Sequence, residues 1–444
     1  MSERSDSSGT VPMATGWLSR LLHSRALRAI GLMSAATGAG QFAILAALPL
    51  LTRLYSPAEF GLYALFSAFV GVASVGACLC LDLAIVQSRS EREADELCEA
   101  CILSLPLTVT LSGVLLAGLI AVGAFGYASL PWRGVPLAMA LVALNGIYVA
   151  SRYRQLREQR YGLLARVTLM QSVGRALAPL AWFLLLPNWI GLALGELTGR
   201  SLGVRGLTRS LGLFAAGHGF VVRVRKWWHV VRREKQYTTL LLGTVLVDAC
   251  ASLLISPLLA GYYGAGAAGE YFLVASMLVA PSALIGTAAA DVLHARGARL
   301  LHESPGRLPF YLARAAGLLL LAGCAIYGPV YLLAPYVFPM LFGEKWTYIA
   351  QIAQAMTPFM IVAFAASPCS RLLLVLNRSE LKVISDSVRL IGTPLVLWAT
   401  HRMGLPIMPA VWSLMWFLAF AYALYLALTF FAAHQAQNDP HHAN

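Results

Sequence analysis

Charge is what this chain has least of. Only 12% of its 444 residues are Asp, Glu, Lys or Arg, against 59% hydrophobic, which is more apolar surface than a soluble core of that length would bury. A water-soluble globular fold is excluded. Alternating segments of about ten residues, the mark of a membrane barrel, are missing as well. The seven cysteines make no disulfide framework: Cys78, Cys80, Cys250, Cys324 and Cys369 lie inside apolar runs, where a thiol behaves as a small hydrophobe. Cys98 and Cys101 form a single CxxC beside an acidic loop. With no second pair or nearby His, no metal or redox centre is expected there. A nucleotide loop is lacking too. The Gly38-Ala39-Gly40-Gln41 cluster lies within an apolar run, with no preceding strand and no following Lys-Ser or Lys-Thr. No cofactor is expected.

What remains is a series of apolar runs of roughly 18 to 25 residues, long enough to cross the hydrocarbon of a bilayer as helices that satisfy their own backbone groups. Six fall near 29–51, 62–84, 101–123, 134–151, 165–186 and 188–204, and six more near 237–260, 269–293, 310–334, 347–370, 383–400 and 407–431. One corner recurs without gaps. Pro49, Leu50, Leu51, Tyr55, Gly61, Tyr63 and Leu65 meet Pro257, Leu258, Leu259, Tyr263, Gly269, Tyr271 and Leu273 at a constant offset of 208 residues, as two copies of one architecture would.

The reading is an all-α integral membrane protein with about twelve transmembrane helices in two homologous six-helix lobes. An interfacial amphipathic tail occupies 1–27, with Trp17, Leu18, Leu21 and Leu22 among Arg20 and Arg25; the lobes are 28–204 and 237–431, joined by a basic linker, 205–236, and followed by a polar tail, 432–444. The net charge of +13 follows topology rather than nucleic acid, because Arg and Lys gather in alternate loops. Arg152, Arg154, Arg157 and Arg160 follow the fourth span, eight basic residues from Arg205 to Lys235 follow the sixth, and the intervening loops hold Arg53, Arg133, Lys345 and Arg402 singly. Basic loops stay in the cytoplasm, so both termini are predicted to be cytoplasmic. Trp227 and Trp228 among the linker's bases suit a helix lying on the membrane surface.

At the residue level a likeness emerges. SRALRAIGLMSAATGAGQFAILAALPLLTRLYSPAEFGLYALF and the LDLAIVQSRSEREADEL run from Leu81 closely resemble the amino-terminal signature of bacterial polysaccharide-export flippases, in the multidrug/oligosaccharidyl-lipid/polysaccharide exporter superfamily. Gly269–Val292, Phe338–Trp346 and Ser367–Arg378 resemble second-lobe segments of the same family. Two departures stand out. Gln236-Tyr237-Thr238 replaces the Tyr-Pro pair that often opens the seventh span, and Asp248 stands where many relatives have Asn; residues 101–200 match in hydropathy only. The resemblance implies two bundles around a central cavity in the bacterial inner membrane. It also implies transfer of a polyprenyl-diphosphate-linked oligosaccharide from the cytoplasmic to the periplasmic leaflet, for a lipopolysaccharide or exopolysaccharide. Glycosyltransferases, a polymerase and membrane lipids are the implied partners, with no nucleic acid.

Such a head is anionic and hydroxyl-rich, and cannot cross hydrocarbon unaided. Arg suits it, staying protonated and forking two donors toward phosphate oxygens. Arg175, inside the fifth span with Pro179 one turn on, is the first candidate; snorkelling to the surface is its competing account. Arg53 at the repeated corner would meet a headgroup, or anchor the interface or pair with Glu59. Arg371, like Arg200, lies near a helix end where ordinary anchoring competes. Gln41 would reach sugar hydroxyls or merely pack helices. Asp248 would bind a coupling cation or proton, or pair with an Arg across the cavity. Glu196, Asp291, Asp386 and Asp82 read as surface or structural acids, and Pro106, Pro179, Pro257, Pro281, Pro358 and Pro394 as kinks with hinge roles open.

With no ATP motif, drive falls to gradients, potential or product consumption; an anionic head moving outward gains about 2.3 kcal/mol per charge per 100 mV. No catalytic residue is assigned, and the chain is not expected to be an enzyme. A cation-coupled drug exporter of the same superfamily is the first rival, and a membrane glycan polymerase or ligase the second. The short outward loops speak against the latter.

Overall fold

The computed structural model describes residues 25–208, 220–376 and 378–438. Most of the expected 1–27 tail, residues 209–219 of the linker and the end of the carboxyl-terminal tail lie outside them. Twelve helices of 13 to 39 residues lie on the twelve apolar runs within the described residues. They are α1 (Arg25–Leu54), α2 (Pro57–Gly76), α3 (Glu91–Val122), α4 (Gly134–Arg157), α5 (Tyr161–Phe183), α6 (Trp189–Ser201), α7 (Gln236–Tyr263), α8 (Ala265–Glu303), α9 (Leu308–Phe342), α10 (Ile349–Ser370), α11 (Ser379–Arg402) and α12 (Ile407–Asn438). No strand occurs among the described residues. Eight helices are long and apolar enough to span a membrane on those grounds alone. Helices α5, α6, α8 and α11 are outside that set, and α5, α6 and α11 carry the cavity charges Arg175, Glu196, Arg200, Asp386 and Arg389 described below. The protein is a multi-pass membrane protein.

Packing repeats with the sequence. In the first lobe α1 packs on α5, α5 on α6 and α3 on α4; six helices later α7 packs on α11, α11 on α12 and α9 on α10. Helix α7 opens with a π-helical turn, Gln236–Leu241, in place of a proline hinge, and breaks again at Leu254, three residues before Pro257. Between the lobes, Phe220–Arg233 forms a separate helix against α3.

The repeated corner is where the lobes lock. Ser56 caps α2 by accepting from the Glu59 amide at 3.3 Å, and Pro57 sits in the first turn, where its missing N–H costs nothing. Glu59 reaches across to the Trp189 amide that opens α6. The counterpart of Ser56 is Gly264, whose φ of +88° lets the chain turn into α8. A Cβ on Gly61 would lie 1.7 Å from the Ala265 carbonyl oxygen, and one on Gly269 would lie 2.0 Å from that of Pro57. Ala265 and Pro57 are themselves related by the 208-residue offset. The contact between α2 and α8 is thus reciprocal, the signature of a pseudo-two-fold axis. Trp346, from the α9–α10 loop, donates its indole N–H to the Thr52 carbonyl at 3.1 Å and stacks edge-on to Phe60 with centroids 5.2 Å apart, while Lys345 donates to the Arg53 carbonyl at 3.0 Å.

Candidate functional site

Beyond the glycine contact, α8 becomes a wall. Phe272, Ser276, Val279, Ser282, Gly286 and Ala290 recur at helical spacing, and together they border three adjoining hollows. From Phe272 to Ala290 the helix rises about 27 Å, close to the depth of the hydrocarbon. The first hollow, about 260 Å³, lies between α8 and the first lobe and takes in Gln41, Tyr63, Arg175 and Glu196. The second, about 440 Å³, shares Phe272, Ser276 and Val279 with it and takes in Ser67, Ser252, Arg389 and Tyr422. The third, about 300 Å³, continues from Val279 to Arg371.

In the first lobe the charges are tied by geometry. Arg175 on α5 donates Nε to Glu196 Oε2 at 2.8 Å, and Arg200, one turn beyond Glu196 on α6, donates Nε to Oε1 at 2.5 Å. Arg200 also reaches Asn145 Oδ1 at 2.9 Å, and the Asn145 amide donates to Ser74 Oγ at 2.8 Å. Two cations thus share one buried carboxylate, leaving a surplus of one positive charge. Pro179 lies inside α5 one turn past Arg175, and its carbonyl accepts from the Tyr55 hydroxyl of the repeated corner at 2.9 Å.

The second lobe carries four charges that cancel. Arg389 on α11 is buried, with Nη1 at 3.1 Å from Asp386 and 3.4 Å from Asp248, Nη2 donating to Ser252 Oγ at 2.8 Å, and its guanidinium 4.8 Å from the Tyr422 ring centre. Lys382 lies 2.5 Å from Asp386 and 3.7 Å from Asp248.

Of the residues singled out from sequence, the fold brings Arg175 and Gln41 into the first hollow and Arg371 into the third, where it pairs with Asp291 at 2.9 Å. Asp248 pairs with Arg389 and Lys382 behind the second and does not itself line it. Arg53 stands apart, exposed at the corner, and Glu59 turns to Trp189 rather than to it. Two acids read as surface or structural, Glu196 and Asp386, are buried at 8% and 2% exposure and neutralise the cavity arginines. Their closeness to charged loops in sequence concealed this. Arg389 escaped the sequence reading altogether. A partial signal existed: Ser172-Val173 and Pro179-Leu180 recur as Ser387-Val388 and Pro394-Leu395 at an offset of 215, with Arg389 one residue out of register with Arg175. Arg154, counted with the basic loops, is spent on Glu91, Asp95 and Glu158 at 2.8, 3.0 and 3.0 Å.

Residues 50–351 match a protein family described as "Polysaccharide biosynthesis protein". No curated protein matches the chain in sequence. Among solved structures, the lipid II flippase MurJ in an inward closed conformation is similar with a TM-score of 0.68 at 14% identity, over 92% of this chain and 90% of that one. A MOP superfamily transporter from Pyrococcus furiosus gives 0.60 at 14% identity, over 94% and 98%. An inward-facing multidrug resistance transporter of the MATE family gives 0.59 at 13%, over 91% and 95%. At such identities the likeness is one of fold.

Proposed function

The chain belongs to the polysaccharide biosynthesis protein family, and from that premise we propose that it is a flippase for a polyprenyl-diphosphate-linked oligosaccharide. On this reading it works in the bacterial inner membrane, moving the head from the cytoplasmic to the periplasmic leaflet while the isoprenoid tail stays in lipid. The observation that carries the reading is the pair Arg175 and Arg389, one from each lobe, on hollows with a common wall at Phe272, Ser276 and Val279. A diphosphate needs cationic donors along its route, and sugar hydroxyls need amides and hydroxyls such as those of Gln41, Ser67, Ser252 and Ser276.

The lobes 28–204 and 237–431 are the moving units, with the corner end as the periplasmic gate and the basic-loop end as the cytoplasmic one. Arg371 receives the head near the entry, Arg175 holds it midway, and Arg53 meets it at the outer mouth. Glycosyltransferases supply the substrate on one face and a polymerase consumes it on the other. A drug exporter coupled through Asp248 fits less well, because that carboxylate already faces Arg389 and Lys382.

The test is leaflet accessibility of a labelled lipid-linked glycan in proteoliposomes. Arg175→Ala is expected to slow exposure roughly tenfold or more, the worth of a charge-assisted contact, and to leave the fold intact because Arg200 still neutralises Glu196. Asp248→Ala should have the smaller effect, since Asp386 keeps both cations partnered. Wild-type flipping by Arg175→Ala sinks the proposal; loss of drug efflux in Asp248→Asn would favour the exporter.

A further inference from the structure

Helix α3 is longer than a bilayer needs. Its 32 residues rise about 48 Å, against roughly 30 Å of hydrocarbon, so its charged start from Glu91 to Glu99 stands outside the oil. The Phe220–Arg233 helix docks against this start. Trp227 donates its indole N–H to Ser104 Oγ at 2.9 Å, Val230 is buried, Arg223 holds Glu99 at 3.0 Å and Arg233 reaches Glu93 at 3.5 Å. These ties fix the linker helix at the level where α3 enters the membrane, which is the depth of lipid headgroups.

Further round the same helix the contents differ. Arg225, Trp228, His229 and Arg232 fall at helical spacing and are exposed, with Lys226 on the flank. Arg225, Lys226 and Arg232 have no carboxylate within 4.0 Å among the described residues, whereas the acids beside them are engaged, Glu99 by Arg223 and Glu96 by Arg92. Arg232 lies over the Trp228 ring at 4.7 Å. All five border a hollow of about 490 Å³ beside the start of α3, and Glu96 and Glu99, already paired with Arg92 and Arg223, line its other side.

We propose that this hollow binds the headgroup of an anionic phospholipid, with Arg225, Lys226 and Arg232 on the phosphate and Trp228 beside the glycerol at the acyl boundary. The chemistry is that of a basic, Trp-bearing surface helix at a negatively charged leaflet. The site lies outside the central cavity and stands whether or not the chain flips glycans. A lipid held here clamps the linker that joins the lobes onto the first of them.

Full-length protein purified in detergent is offered equimolar phosphatidylglycerol and phosphatidylcholine, and retained lipids are counted by native mass spectrometry. Wild type should keep phosphatidylglycerol in preference, Arg232→Gln should weaken that preference about fivefold, the worth of one base at a charged surface, and the Arg225→Gln/Lys226→Gln/Arg232→Gln variant should abolish it. Arg402→Gln, at the opposite end of the molecule, should leave it unchanged. Equal retention of both lipids by wild type, or an undiminished preference in both the single and the triple variant, overturns the proposal. So does displacement of phosphatidylglycerol by an equal concentration of glycerol phosphate, which would make the hollow a site for free anions.

Discussion

Gly61→Val should hold the two lobes apart at the corner end and arrest transport. The Cβ that valine brings would meet the Ala265 backbone oxygen at 1.7 Å, and no rotamer relieves a clash made by Cβ itself. Overpacking commonly costs 1–3 kcal/mol; against backbone the cost falls at the upper end, about 3 kcal/mol, which lowers the closed population roughly 150-fold. Gly269→Val should do the same from the other side of the pseudo-two-fold, through Pro57. Spin labels at the exposed Arg133 and Glu344, one in each lobe, report the change as a longer separation, and the leaflet assay reports the loss of flipping. Gly317→Ala is the matching control, because nothing lies within 4 Å of its added methyl. An unaltered label separation together with normal flipping in Gly61→Val would mean that the corner contact is not a gate.

The corner could be found from sequence, but its purpose could not. Spacing alone gave the offset of 208 and hence the equivalence of Gly61 and Gly269. That the two glycines touch each other's helices depends on how the copies are arranged, which no local pattern encodes. The twelve helices were legible for the reason that membrane helices generally are: the backbone must satisfy itself in oil, so length and hydropathy nearly suffice. Cavity charges were harder. Arg175 was visible because it stands alone in an apolar stretch, whereas Arg389 follows Lys382 and Asp386 within two turns and merged with the loop beside it. Glu196 was set aside for the same reason, although Arg200 at i+4 marked a partner on the same face of α6. Trp346 illustrates the limit, since its bond to Thr52 spans 294 positions in the chain.

The unequal charge of the two clusters leads to the second strong expectation. Arg175, Arg200 and Glu196 leave one positive charge over, whereas Arg389, Lys382, Asp248 and Asp386 leave none. Glu196→Gln leaves two guanidiniums, each about one-third exposed, without their shared carboxylate; a fully buried cluster would lose about 3–5 kcal/mol and water at the arginines lowers that to roughly 2 kcal/mol, so a clear drop in the thermal midpoint followed by tryptophan fluorescence is expected. Two double variants then separate fold from function. Glu196→Gln/Arg200→Gln and Glu196→Gln/Arg175→Gln both restore a single positive charge, and both should recover part of the lost stability. The first leaves that charge on Arg175, in the hollow with Gln41; the second leaves it on Arg200, bound to Asn145. If the surplus charge serves the diphosphate, only the first pair of substitutions should flip the labelled glycan at a rate near wild type. Equal rates in the two would show that net charge alone matters, and that Arg175 holds no special place on the route.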